Sequence, residues 1–365
     1  MFTRILRALT ATLLAAGLVV LTWPQAVGLQ NTWIVAHAVS FRGAFVVAAT
    51  AGALLMLALL VIRRSRTVAI LLVLTVLFGA VNATILAERG LGNTDALVAG
   101  AEASGPSDAT TPVTRGTANA VTVLSWNTLG DAPGASVIAE LALAEGADVV
   151  TLPETTEETG VAIAELMRAA GRPMWVHTVA FDLVSKARST TVLISPDLGD
   201  YTVTSAAGSG PPGNTNVLPT VVATPTAATG PTIVAVHAVA PIRYEMSNWR
   251  SDLDWLAEQC SGNGSTPANV IMAGDFNATL DHMAGRAAST AESPAAVLGE
   301  CIDAASAVGS GAVGTWPTRM PALLGSPIDH VMATPNWQVD DVRVIDSLDG
   351  AGSDHRPVVA TLSPA

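Results

Sequence analysis

The chain of 365 residues has one lysine, Lys186, and two cysteines, Cys260 and Cys301; 13% of it is charged and 4% is aromatic. Binding to nucleic acid draws mainly on Lys and Arg that neutralise phosphates. One lysine and 17 arginines against 30 acidic residues leave no basic groove visible. Aromatic platforms for stacking bases are equally scarce. Neither the cysteines nor the histidines stand at zinc-site spacing. Low charge also excludes a disordered chain, which would be poor in apolar residues.

Half of the residues are apolar, and mean hydropathy is +0.46. Such a value points to membrane spans joined to another kind of chain. Three apolar stretches, at about residues 8–23, 44–62 and 67–87, each approach the roughly 20 residues that cross a bilayer as a helix. Residues 25–42 are interrupted by Asn31, His37 and Arg42 and read as an interfacial or lumenal connection. A signal peptide is the competing reading of the first stretch, because Arg4 and Arg7 precede an apolar core. Basic flanks set the orientation. Arg4, Arg7, Arg63, Arg64 and Arg66 are expected on the cytoplasmic side, while Arg42 and Arg89 oppose that assignment. Three spans give a multi-pass anchor over residues 1–89, with a cytoplasmic N-terminus and everything later outside the cytoplasm. Residues 90–117, rich in Gly, Ala, Ser, Thr and Pro, read as a flexible linker that tethers the next domain without rigid docking.

Residues 118–365 form the expected outer domain. From residue 90 onward there are 11 basic and 29 acidic residues, a formal charge of −18. Cys260 and Cys301 both lie here, and an oxidising compartment favours a bridge, with two buried thiols the alternative. Short apolar runs predict strands at 121–125, 149–152, 191–194, 217–223, 233–237, 270–273, 330–332, 342–345 and 358–362. Helices are predicted at 135–145, 159–170, 247–259 and 293–307. Many strands with few helices between them argue for two packed sheets with outer helices.

Polar residues cluster where these strands end: Ser125-Trp126-Asn127-Thr128, Pro153-Glu154-Thr155, His237, Gly274-Asp275-Phe276-Asn277-Ala278, Ile328-Asp329-His330-Val331 and Ser353-Asp354-His355-Arg356-Pro357. Strand ends gather at one sheet edge, where ligands bind. Carboxylate and amide oxygens suit a hard cation such as Mg²⁺, and a histidine held by a carboxylate can move a proton or neutralise a phosphate oxygen. Each motif alone has a bland explanation as a turn, a cap or a structural histidine; together, in one domain, they point to a site.

This ordered set resembles the endonuclease/exonuclease/phosphatase superfamily, which includes deoxyribonucleases, apurinic endonucleases, inositol-phosphate phosphatases and neutral sphingomyelinases. The resemblance covers about residues 119–363. It implies an α/β fold, a four-layer sandwich of two mixed β-sheets flanked by helices, here preceded by three transmembrane helices. It also implies phosphoester cleavage with Mg²⁺, or Mn²⁺ in its place. By position, Asn127, Glu154 and Asp354 would form the metal corner. Asp275 would orient or deprotonate the attacking water, and Asn277 would hold a phosphate oxygen. His355, bonded to Asp329, would supply a proton or positive charge, and His237 would contact phosphate. One departure is that the acidic partner expected before the strand at 191–194 is not evident; the stretch reads Lys186-Ala187-Arg188-Ser189-Thr190. Lys186, Arg188, Arg243, Arg250 and His282 are further candidate substrate contacts, as are Asp281 and Arg286.

The expected target is a phosphoester near the membrane surface. The layout is similar to bacterial envelope members of the superfamily, including a glycopeptide-resistance type linked to lipid-carrier phosphates. A phosphatase or phosphodiesterase acting on a lipid-linked or other envelope phosphoester is therefore expected in the bacterial cell membrane. An extracytoplasmic nuclease and a non-catalytic binding protein on the same fold are the alternatives.

Overall fold

The computed structural model describes residues 2–92 and 120–365, apart from 183, 204–209, 228–229, 263–267 and 292. Nearly all of the expected linker lies outside the described residues. Helix α1 (Phe2–Thr22) ends before Pro24, which opens a 3-10 turn (Pro24–Val27). A short helix α2 (Trp33–Val39) then leads into the hairpin of α3 (Arg42–Arg63) and α4 (Arg66–Arg89). Of the three expected spans, two coincide with helices, α3 and α4, that are long and apolar enough to cross a bilayer; α1 has 21 residues, and its part Leu9–Thr22 is apolar.

The chain from residue 120 onward is two mixed sheets packed face to face. The first has six strands, β1 (Val121–Ser125), β2 (Val149–Pro153), β3 (Trp175–Ala180), β4 (Ser189–Ile194), β13 (Trp337–Val344) and β14 (Val358–Pro364), in the order β13-β14-β1-β2-β4-β3. The second has eight: β5 (Tyr201–Val203), β6 (Val221–Pro225), β7 (Thr232–His237), β8 (Val270–Asp275), β9 (Arg286–Ala287), β10 (Ala296–Gly299), β11 (Cys301–Asp303) and β12 (Asp329–Ala333). Their order is β5-β6-β7-β8-β12-β11-β10-β9. The interior pairs β1/β2 and β7/β8 are parallel.

Side chains alternate across each strand, and both faces are covered, so the central strands are apolar throughout. In β7, Ile233 and Ala235 face the core between the sheets, while Val234 and Val236 face α7 (Met246–Gln259) on the outside. Leu124, Val150 and Leu152 likewise face α5 (Gly134–Ala144) and α6 (Glu157–Ala169). The helix expected over 293–307 is instead β10, β11 and a single turn, α9 (Ala304–Ala307). The Asp303 carboxylate accepts the Ser306 N–H at 2.8 Å and so starts the helix there. Cys260, at the end of α7, is bridged to Cys301 on β11, with Cα atoms 5.6 Å apart. Closing that loop contributes roughly 4 kcal/mol on a chain-entropy basis.

The N-terminal helices and the sheet domain make direct contact. Asp281 lies on the short helix α8 (Leu280–Met283) and is 1% exposed. Its carboxylate accepts Arg42 Nε and Nη2, both at 2.7 Å, Arg89 Nη1 at 3.0 Å and Gln25 Nε2 at 2.7 Å, and lies 2.9 Å from Arg89 Nη2. Arg42 Nη1 also donates to Asn82 Oδ1 at 2.6 Å. Polar groups on apolar helices are costly unless paired, and Asp281 supplies the partner. Burial alone would raise the Asp281 pKa; the Arg42 hydrogen bonds and the Arg89 charge overcome it and hold the carboxyl well below its usual range. Backbone bonds extend the joint: Gly92 N–H to Gly309 O at 3.0 Å, Gly311 N–H to Arg89 O at 2.8 Å and Ala312 N–H to Gly90 O at 2.9 Å.

Candidate active site

Strands β7, β8 and β12 are neighbours, and their register sets His237 opposite Asp275 and Asp275 opposite Asp329. Residues opposite one another point to the same face, so the three side chains leave the sheet together. Gly274, at φ +151°, makes this possible: a Cβ there would lie 2.0 Å from Val236 O. The other sheet supplies the rest. Asn127 lies just past β1, Glu154 just past β2, and Asp354 and His355 just before β14, which runs antiparallel to β1. All of these ends fall on one edge. Glu154 and Asn277 adopt left-handed backbone, at φ +59° and +47°. Asn tolerates this region, but for Glu it costs on the order of 1–3 kcal/mol, strain of the kind held at functional sites.

The side chains form one hydrogen-bonded group. Asp329 accepts His355 Nδ1 at 2.9 and 3.1 Å, leaving His355 Nε2 turned toward Asp275 and Asp354, each 3.9 Å away. Asp275 accepts the Asn277 N–H at 2.8 Å, Asn277 Nδ2 at 3.2 Å and Asn127 Nδ2 at 3.0 Å. Asn127 Nδ2 also reaches Glu154 Oε1 at 3.3 Å, while its Oδ1 accepts the Leu129 N–H. Asn127 thus bridges two carboxylates through its amide nitrogen. His237 Nε2 lies 3.9 Å from Glu154 Oε1, beyond hydrogen-bond range, and its Nδ1 has no partner. On the opposite face of β12, His330 joins Asp303 (2.8 Å) to Ala278 O (2.9 Å) and secures the loop carrying Asn277.

Charge states differ sharply within this group. Burial would lower the His355 pKa, but the charges of Asp329 and Asp275 raise it well above its ordinary value, so the ring is an imidazolium at neutral pH. Burial and the His355 charge push His237 down to about 3, so it is neutral. Burial raises both Asp275 and Glu154, with Asp329 adding to the first and Asp354 to the second. The carboxylates therefore outnumber the cations available to them.

A divalent cation fits that imbalance. Asp354 Oδ1 is buried without a hydrogen-bond partner, and the nearby Glu154 supplies a second oxygen donor. Hard oxygen donors of this kind suit Mg²⁺ or Mn²⁺. Asp275, Asp329 and His355 also offer ligand atoms within 4.8 Å of one another. Both Asp329 oxygens, however, face His355 Nδ1, and both Asp275 oxygens accept N–H groups, so the free lone pairs lie at Asp354 and Glu154.

The pattern of the endonuclease/exonuclease/phosphatase family matches residues 124–355, more than half of the chain and all of this site. The chain belongs to that family. It is a phosphoester hydrolase, and family enzymes are generally dependent on a divalent metal. The crystal structure of an endonuclease/exonuclease/phosphatase from Beutenbergia cavernae DSM 12333 is similar at 20% identity and a TM-score of 0.47, over 68% of this chain and 72% of that one. The one from Bacteroides vulgatus is similar at 14% and 0.48, over 68% and 100%. The human nocturnin catalytic domain with bound sulfate is similar at 16% and 0.46, over 67% and 95%. No curated protein matches the chain.

The remaining candidates of this family member divide by location. Lys186 pairs with Asp131 at 3.1 Å, and the Asp131 N–H donates to Glu154 O, which places Lys186 beside the site. Arg188 is spent on joining two loops: it pairs with Asp182 in its own (2.9 Å) and donates to Val217 O and Asn216 O in the segment before β6. Arg243 lies over the Trp33 ring, and Arg250 donates to Asn31 O at 3.2 Å, so both serve the contact with the N-terminal connection. His282 does the same. Its Nδ1 accepts the Thr279 N–H and its Nε2 donates to Ala36 O at 3.0 Å, leaving no ring nitrogen for phosphate. Burial pushes its pKa down to about 4. Arg286 pairs with Asp254, and Asp281 is the docking carboxylate described above.

Sequence reasoning missed Trp316, whose Nε1 donates to Asp354 Oδ2 at 2.8 Å. It also passed over Trp126, which donates to His355 O at 2.8 Å, and Ser353, which donates to Asn127 O at 2.6 Å. The last two lie inside motifs already singled out. Trp316 lies in a loop with no local pattern to mark it.

Proposed function

We propose that this protein is a membrane-anchored, Mg²⁺-dependent phosphohydrolase that acts outside the cytoplasm on a lipid-linked or other cell-envelope phosphoester. The observation that carries this reading is the docking of the catalytic domain on one end of the α3–α4 hairpin, through Asp281, Arg42 and Arg89. A site mounted in this way is held at the lipid surface. The basic loop Arg63, Arg64 and Arg66 at the hairpin's other end supports a cytoplasmic placement for that end. The formal charge of −18 after residue 89 and the single lysine disfavour a polyanionic nucleic acid.

In this reading Glu154 and Asp354 hold the ion, with Asn127 aligning Glu154 against Asp275. The bound ion would neutralise charge on the phosphoryl and leaving-group oxygens. Asp275, fixed by Asn127 and Asn277, is placed to orient the attacking water and take its proton. The His355 imidazolium, held by Asp329, offers positive charge and a proton through Nε2. Neutral His237 lines the same cleft and can donate a hydrogen bond to a phosphate oxygen.

The test measures phosphate release from prenyl and phospholipid phosphates against nicking of plasmid DNA, each with Mg²⁺ and with EDTA. Release from the lipid substrates, abolished by EDTA, is the expected result. DNA cleavage without lipid-phosphate activity would overturn the substrate assignment.

A further inference from the structure

One loop, residues 314–327, touches both the anchor and the catalytic centre. On the catalytic side, Trp316 Nε1 donates to Asp354 Oδ2 at 2.8 Å, and the Thr318 N–H donates to Asp354 O at 2.9 Å. On the anchor side, the Trp316 ring packs against Phe41, with centroids 6.0 Å apart. Phe41 is the N-cap residue of α3. Two residues on, the backbones meet: a Cβ at Gly43 would lie 1.9 Å from Leu323 O.

The loop is stiff between these contacts. Buried Arg356 donates to Gly314 O and Thr318 O, each at 3.1 Å, and to Met320 O at 2.7 Å, and it pairs with Asp349. Trp316 and Ser326 pair backbone to backbone. A shift of α3 at Phe41 therefore reaches Asp354 through a ring and a single N–H, with little slack to absorb it.

The Asp354 side chain is 42% exposed overall although its Oδ1 is buried, and its terminal torsion is soft unless one oxygen is held. The indole N–H holds Oδ2, which leaves Oδ1, without a hydrogen bond and 3.9 Å from His355 Nε2, as the donor for the ion. We propose that Trp316 is a positioning residue that presents Asp354 Oδ1 to the divalent ion, and that it takes its own position from Phe41, so that the seating of the anchor sets the geometry of the metal corner. This rests on reading Asp354 as a ligand of that ion.

The test uses the full-length protein in lipid nanodiscs. Mn²⁺ affinity is read from the loss of the free-ion electron paramagnetic resonance signal, and steady-state phosphate release is measured alongside. Trp316→Phe keeps the ring and its contact with Phe41 but removes the N–H. It is expected to weaken Mn²⁺ binding by about tenfold or more, as for other groups that orient a metal ligand. kcat falls, while KM stays within about twofold, because substrate contacts are intact. Trp316→His keeps a ring N–H and recovers most of the affinity. Phe41→Ala, remote from the reacting groups, weakens Mn²⁺ roughly two- to fivefold, in the range of couplings through packed side chains. Trp33→Ala, elsewhere on the docking face, leaves it unchanged. Wild-type affinity in Trp316→Phe, or equal losses in Trp316→Phe and Trp316→His, overturns the positioning role. Wild-type affinity in Phe41→Ala overturns the link to the anchor. No saturable Mn²⁺ binding by the wild-type protein overturns the metal reading, and this inference with it.

Discussion

Asp275 and Asp281 are separated by one short loop, both are almost wholly buried, and their carboxyl groups are driven in opposite directions. Asp281 meets two guanidinium groups, bonded by two N–H groups of Arg42 and one of Arg89. Asp275 shares a single imidazolium with Asp329 and is otherwise held by neutral amides. The first cluster closes its own electrostatics and works as a fastener. The second leaves negative charge uncompensated, with a bare oxygen on Asp354, and is organised for a cation that the chain itself does not supply.

Asp281→Ala leaves buried Arg42 and half-buried Arg89 facing no anion. It is expected to destabilise the full-length protein by about 3–5 kcal/mol, the usual cost of breaking a buried pair, and urea unfolding would measure it. An unchanged midpoint would show the cluster to be idle. Next come Asp275→Ala and His355→Ala. Each is expected to leave the circular dichroism spectrum intact and to lower turnover by at least about a hundredfold. Wild-type turnover in both would contradict the roles given to this cluster.

A pH series sharpens the contrast. Asp281 has a depressed pKa, so its stabilisation is present above the unfolded carboxylate range near 4 and is lost as pH falls further. Asp275 has a raised pKa, so its cost appears as pH rises from that same range. With divalent ions chelated, Asp275→Asn is expected to raise the melting temperature at pH 8, by roughly 2–4 °C per kcal/mol relieved. The gain should shrink toward pH 4. A gain that grows toward acid would reverse the argument. The smallest effect belongs to Lys186→Ala. Lys186 is largely exposed, and Asp131, though nearly buried, keeps its bonds from Thr156, so the change in stability should stay within about 0.5 kcal/mol.

The central strands were legible because burial on both faces writes an unbroken apolar run, as in β7 and β8, and polar side chains follow where that run stops. The same rule made Asn127, Glu154, Asp275 and Asp354 visible. It fails at β3, an edge strand whose Trp175 is half exposed, and at β10 and β11, where the runs are too short to separate from a helix. Partner choice across the fold was not legible. Nothing near Asp281 names Arg42, more than two hundred residues away. Arg243, Arg250 and His282 follow site residues closely in sequence, yet the chain turns them to the docking face. Trp316 carries no local mark because its role comes from what lies on either side of it.

The backbone ladder that joins Arg89, Gly90 and Gly92 to residues 309–312 has a consequence for the segment between 92 and 120. Gly92, the last described residue before that segment, is already held by the domain through its bond to Gly309. Covalent continuity there adds little to what the ion cluster and the ladder hold. A protease site engineered between 93 and 119, once cut, should yield two fragments that co-purify and part only when denatured.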